Sequence, residues 1–170
     1  MLCIAAVLAG LALPSYQTLI AHQQLRTAVG DLFSAIDLTR SQALARGSRV
    51  LLVPLDPGGA SWQHGWNVFI DSNGNRRYDA GEELIFQQGP VADGITINAA
   101  FSADAASSSY IAYNGAGRSC SASNSLAAHW GTLSLVQGQN RRNIKINMLG
   151  RVRVCDPATQ NNCSSAADAE

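Results

Sequence analysis

The sequence predicts an α+β protein: a long N-terminal α-helix packed on an antiparallel β-sheet or two-sheet globular domain. Three observations predict it. Helical periodicity runs through the first 46 of the 170 residues. Gly47 then ends it. Beyond that point the chain breaks into short runs rich in β-branched and aromatic residues, separated by Gly, Pro and Asp turns. At this length one compact domain plus an appendage, with a sizeable core, is expected.

The helix begins with "LCIAAVLAGLAL", Leu2 to Leu13, where Cys3 is the one departure from pure hydrocarbon. A stretch this short does not span a bilayer alone, which takes about 20 residues. It also lacks the basic n-region of a cleavable signal peptide. The pattern continues past Pro14, where a bend is expected, with Leu25, Val29, Leu32, Ile36 and Ala43 at three-, four- and seven-residue steps. The helix is therefore apolar all round at first and one-sided later. Gly47 after Arg46 reads as its C-cap. Gly30 costs about 1 kcal/mol against Ala in mid-helix, so packing must carry that turn.

Eight strands follow, at 48–55, 65–71, 83–88, 94–101, 109–114, 131–137, 142–148 and 151–155. Alternation at Ile144, Ile146 and Met148, and at Val152 and Val154, marks strands with one dry and one wet face. Hairpin turns are expected at 138–140 and 149–150. The organisation read from this is an apolar helix half at 1–25, a globular domain at 26–155, and a loop and tail at 156–170 that is frayed after Cys163.

Formal charge is zero, 12 Lys and Arg against 12 Asp and Glu. No global field announces an acidic or nucleic-acid partner. The distribution is uneven. From Ala105 to Cys155 every charged residue is a cation: Arg118, Arg141, Arg142, Lys145, Arg151 and Arg153. Asp71, Asp79, Glu82 and Glu83 restore most of the balance. Cys155 and Cys163 bracket "DPATQNN", a loop suited to a local disulfide, with Cys120 free or a competing partner. No CxxC or Cys/His cluster suggests zinc.

Within "DSNGNRRYDAGEE", Asp71, Asn73, Asn75, Asp79 and Glu82 occupy places 1, 3, 5, 9 and 12 of a calcium-loop pattern. Arg76 stands at place 6, where that pattern wants Gly, and strand-like flanks exclude a true EF-hand. The competing reading is a hairpin loop of Asx-turns with Gly74 and Gly81 at positive φ.

Arg151 and Arg153, at i and i+2, project from one strand face while Val152 and Val154 fill the other. Arg142 and Lys145 lie on the preceding strand, with no local acid, so a hairpin gathers four cations. Such a patch suits phosphates; a solvated strand face is the alternative. Arg118 and Arg141 extend it. His22, His64 and His129 have no partner at ligand or triad spacing, and no serine sits in a nucleophile elbow. No phosphate-cradling glycine loop occurs. The chain reads as a non-enzyme without a cofactor. Trp62 and Trp66 read as core; Trp130 is either packing or a base-stacking platform.

Three segments, in order and spanning residues 1 to about 155, resemble the FimT/GspH minor pilin family. "ALPSYQTLIAHQQLRTAVGDLFSAIDLTRSQALARGSRVLL" is similar to its helix-to-first-strand region and "GWNVFIDSNGNRRYDAGEELI" to its following hairpin. "GRVRVC" is similar to its C-terminal Gly-Arg-x-Arg signature. The resemblance implies a single-pass inner-membrane protein with a periplasmic β domain, assembled with major and minor pilins into a pilus or pseudopilus. The Gly-Arg-x-Arg region of FimT-type members is implicated in binding DNA during natural transformation. Carried over, that points to Arg151 and Arg153, with Gly150 shaping the turn and Arg142, Lys145, Arg118 and Arg141 in support. The implied partner is double-stranded DNA, held by its phosphates without sequence preference. The rival implication is a structural subunit of a type IV pilus or type II secretion pseudopilus that binds no DNA. The family's basic leader, cleavage site and Glu-bearing start have no counterpart before Met1, so a start inside the mature helix is expected.

Overall fold

The computed structural model describes residues 2–56, 58–102, 109–164 and 166, with side chains from residue 17 onward. The long helix is α1, Leu2–Arg46. The bend expected at Pro14 falls where side chains lie outside the described residues. Among the described residues no helix is long and apolar enough to cross a membrane. Helix α1 ends as its sequence requires. Gly47 takes φ +61°, and the amides of Gly47 and Ser48 return to the carbonyls of Leu44 and Ala43. One stripe of α1 is buried: Leu25, Ala28, Val29, Leu32, Ala35, Ile36 and Ala43. Thr39 shares the stripe because its hydroxyl donates to the Ala35 carbonyl at 2.7 Å, which satisfies it inside the core.

The strands are β1 (Val50–Pro54), β2 (Trp66–Ile70), β3 (Glu83–Gln88), β4 (Ile95–Phe101), β5 (Ile111–Tyr113), β6 (Gly131–Gln137), β7 (Asn140–Ile146) and β8 (Val152–Cys155). They form two four-stranded antiparallel sheets, ordered β3-β2-β1-β5 and β4-β6-β7-β8. The buried stripe of α1 shares one core with Val50 and Leu52 of the first sheet and Leu133, Leu135, Ile144 and Ile146 of the second. Trp62 and Trp66 belong to the same core. The alternate residues of β1, Leu51 and Val53, face outward. They meet Phe69, Tyr110, Ala112, Cys120 and Ala122 in a smaller cluster. That two-sided burial is why β1 reads as a continuous apolar run.

Three sequence expectations need correcting. Strand β7 begins at Asn140, not at residue 142, because Gln137 and Asn140 pair directly across a two-residue turn with Gly138 at φ +59°. It ends at Ile146, and Met148 is exposed. Val152 is half-buried and Val154 is 42% exposed, so the far face of β8 is not filled as alternation implied. The segment after Cys163 is not frayed at its start: Asn143 Nδ2 donates to the Cys163 and Ser164 carbonyls at 3.1 and 3.0 Å. A Cys155–Cys163 disulfide ties this segment to β8, and Cys120 is free and buried.

Candidate nucleic-acid interface

The turn into β8 is built by one side chain. Asn147 Oδ1 accepts the amides of Leu149 and Arg151, at 3.1 and 2.9 Å. The Gly150 amide donates to the Asn147 carbonyl, and the Asn147 amide to the Arg151 carbonyl. Gly150 sits at φ +81°. A Cβ there would lie 2.6 Å from the Gly117 carbonyl and 2.8 Å from the Tyr113 ring, so only glycine fits. The Tyr113 hydroxyl locks the turn by donating to the Gly150 carbonyl at 3.1 Å. Burial pushes that hydroxyl's pKa far up, so it stays protonated.

The surface touching Gly150 has the same construction. Asn114 Oδ1 accepts the amides of Ala116 and Arg118 at 3.0 and 3.1 Å. The Gly117 amide donates to the Asn114 carbonyl, and Asn114 N–H to the Arg118 carbonyl. Gly117 is at φ +70°. The two turns are thus the same pentapeptide, Asn-x-x-Gly-Arg, at 114–118 and 147–151. They abut at their glycines, and each ends in an exposed arginine, Arg118 and Arg151. Among the described residues neither arginine has an ion-pair partner. The sequence reading singled out Gly150–Arg151 and Arg118 but missed the shared pattern; the repeated Asn three residues before each Gly was the available signal. The Asn114 turn lies close against the end of α1: a Cβ at Gly117 would come within 3.0 Å of the Leu44 side chain, and one at Gly115 within 2.4 Å of the Gly47 backbone.

The remaining cations divide differently from the expectation. Arg151 precedes strand β8 rather than sharing its pleat with Arg153. Arg153 pairs with Lys145 across β7 and β8, but it is half-buried and its guanidinium donates to the Asn162 carbonyl at 2.6 Å. Lys145 is only 5% exposed, covered by the segment after Cys155. Arg142 is opposite Leu135 on the helix-facing side of its sheet, and it does have a local acid: Asp156 at 2.7 Å. The sequence window that showed no carboxylate stopped one residue short of it. Arg141 is exposed on the outer side, four residues along β7 from Lys145, or about 13 Å at strand rise. Trp130 is half-buried, while His22 and His64 are exposed. His129 stacks between Phe101 and Tyr110.

The Asp71–Glu82 loop turns its oxygens on itself. Asp71 accepts the amides of Gly74 and Arg76, Asn73 that of Asn75, and Asn75 that of Arg77. Glu82 accepts Ser72 and Asp79 amides. Side-chain hydrogen bonds from Asn73 and Asn75 hold the Asp79 carboxyl below its ordinary range. Gly74 and Gly81 take positive φ, as does Arg76 at +63°. Among the described residues no group of three or more His, Cys, Asp or Glu is arranged to hold a metal ion.

The fold has solved counterparts. The type IV minor pilin FimU of Pseudomonas aeruginosa superposes with a TM-score of 0.61 at 14% identity, covering 84% of this chain and 97% of that one. A second crystal form gives 0.59 at 12%, covering 82% and 99%. The minor pseudopilin EpsH of the Vibrio cholerae type 2 secretion system gives 0.53 at 11%, covering 79% and 98%. No curated protein matches the chain in sequence. Residues 28–150 match the family described as type II transport protein GspH, a span that runs from the buried stripe of α1 to the glycine of the second Asn-x-x-Gly-Arg turn. The chain belongs to that family of minor pilins and pseudopilins.

Proposed function

We propose that the protein is a minor pilin that captures double-stranded DNA by its phosphates, through Arg118 and Arg151, during DNA uptake for natural transformation. Arg153, Lys145 and Arg142 are engaged elsewhere, and Arg141 lies at the far end of β7 from this pair. The observation carrying the proposal is the twin Asn-x-x-Gly-Arg turn. Two guanidiniums stand on mutually buttressed loops, and among the described residues no acid neutralises them. Planar forked donors on a stiff support suit phosphate oxygens, because little freedom remains to be lost on binding. Contacts of this kind carry no base information, so binding without sequence preference is expected. In this reading the protein is anchored in the inner membrane before assembly, with its β domain on the periplasmic side.

The test is binding of the full chain, in non-ionic detergent, to a duplex oligonucleotide across a salt series. Arg118→Ala/Arg151→Ala should weaken binding at least tenfold at 50 mM salt and flatten the log–log salt slope by about 2, one unit per lost phosphate contact. Duplex binding unchanged in the double variant, or absent from the wild type at low salt, sinks the proposal.

One observation favours a second reading, a purely structural pilus or pseudopilus subunit. Leu19 and Ile20 of α1 are exposed, and with Gln23, Thr27 and Val91 they line a mostly apolar groove of about 450 Å³. A neighbouring pilin would cover such a face. Co-purification with pilins lost on Leu19→Asp, together with no DNA binding, is its signature.

A further inference from the structure

We propose that the outer face of β6, β7 and β8 is a second, covered anion-binding site, occupied here by the protein's own C-terminal segment. Four strand side chains meet that segment. Thr132 Oγ1 donates to the Ala166 carbonyl at 2.9 Å. Asn143 Nδ2 donates to the carbonyls of Cys163 and Ser164. Lys145 Nζ donates to Ser164 Oγ at 3.4 Å, and Arg153 Nη2 to the Asn162 carbonyl. Among the described residues every one of these bonds runs in the same direction, from a strand donor to a segment oxygen. The chemistry leaves no choice, since ammonium and guanidinium groups only donate and a carbonyl only accepts.

The register explains the array. Thr132 pairs with Lys145, and Lys145 with Arg153, in one row across the three strands; Asn143 lies two residues from Lys145 on the same face. Thr132, Asn143 and Lys145 are each at most 5% exposed. Three donors in one row with a fourth beside them, two of the four cationic, suit a run of anionic oxygens. In sequence, the chain from Asp156 onward carries Asp156, Asp168 and Glu170 and no Lys or Arg; Asp156 is paired with Arg142. The segment is tethered by the Cys155–Cys163 disulfide. The ligand class is a polyanion with closely spaced oxygens. Its identification as a phosphodiester rests on the DNA reading above; the donor array does not.

The test is a chain ending at Cys163, which keeps the disulfide and removes the Ser164 and Ala166 contacts and both distal acids. Two probes are titrated in detergent against it and the full chain: a duplex oligonucleotide and inorganic polyphosphate. Acylation of Lys145, read by mass spectrometry, reports uncovering independently of either probe. The shortened chain should label faster at Lys145 and bind polyphosphate about five- to tenfold more tightly. Its salt slope should steepen by about 1, for one added contact. Adding Lys145→Gln should return both affinity and slope to the full-chain values. If polyphosphate tightens while the duplex binds neither chain, the covered site stands and the DNA reading falls. Faster labelling with no gain for either probe overturns the site, as does a gain that survives Lys145→Gln. Should the shortened chain not fold, full-length Cys155→Ser/Cys163→Ser supplies the same comparison, with the same gain expected from untethering the segment.

Discussion

At Asn147 a single side-chain oxygen takes the amides of Leu149 and Arg151, and Asn114 does the same for Ala116 and Arg118. These asparagines determine where the arginines stand; the arginines only supply the charge. The contrast with Lys145 is instructive. It has the right charge and the right strand, yet burial under the C-terminal segment removes it from the exposed surface. Cys120 makes a further prediction at this scale. It is 1% exposed, and burial pushes its thiol from 9.0 up to about 11. Between those values the unfolded chain has lost the proton that the folded chain retains. Stability therefore falls as pH rises from about 9 towards 11, and a Cys120→Ala variant should lose less stability over that range. Denaturant midpoints at pH 8 and pH 10 check this; equal pH dependence in both proteins contradicts it.

Gly30 illustrates the element scale. It interrupts an otherwise strong helix, is exposed, and a Cβ built there meets nothing within 4 Å. The domain therefore does not need the glycine, and Gly30→Ala should stabilise the isolated protein by about 1 kcal/mol. Chemical denaturation measures it; a destabilised variant would mean that the space is needed. The strands behave as their periods dictate where both faces are covered, as in β1. The same logic misjudged β8. As the last strand of its sheet it lacks a neighbour on one side, and Val154 stays in water although it alternates correctly.

Over the whole molecule, α1 is the shared floor of both sheets. Leu32 is fully buried in the core where the helix stripe meets strands of each. Leu32→Ala should cost about 3 to 4 kcal/mol, since a cavity under two sheets cannot close by moving one of them. The expected sign of a single core is one cooperative transition at lower denaturant with an unchanged slope. Loss of one sheet's signal before the other would show two independent halves. Charge is also arranged at this scale. The acidic loop belongs to one sheet and the donor row to the other, so a neutral chain carries two unlike surfaces.

The sequence by itself determined the helix and its stop and the existence of eight strands, and it offered Cys155–Cys163 as a local pair with Cys120 left as a competitor. Each follows from interactions between residues close in the chain: a 3.6-residue stripe, a glycine past the last turn, alternation within a few residues, an eight-residue cysteine separation. The two-sheet order was open in that reading, because pairing is set by the shared core and not by any strand alone. Of the candidate site, the arginines were legible and their standing was not. Asp156 neutralises Arg142, Lys145 is covered, and Arg118 comes beside Arg151 from 33 residues away. Only the tertiary structure decided those outcomes, because exposure and charge pairing depend on which distant segments pack across a strand face, and local periodicity says nothing about that.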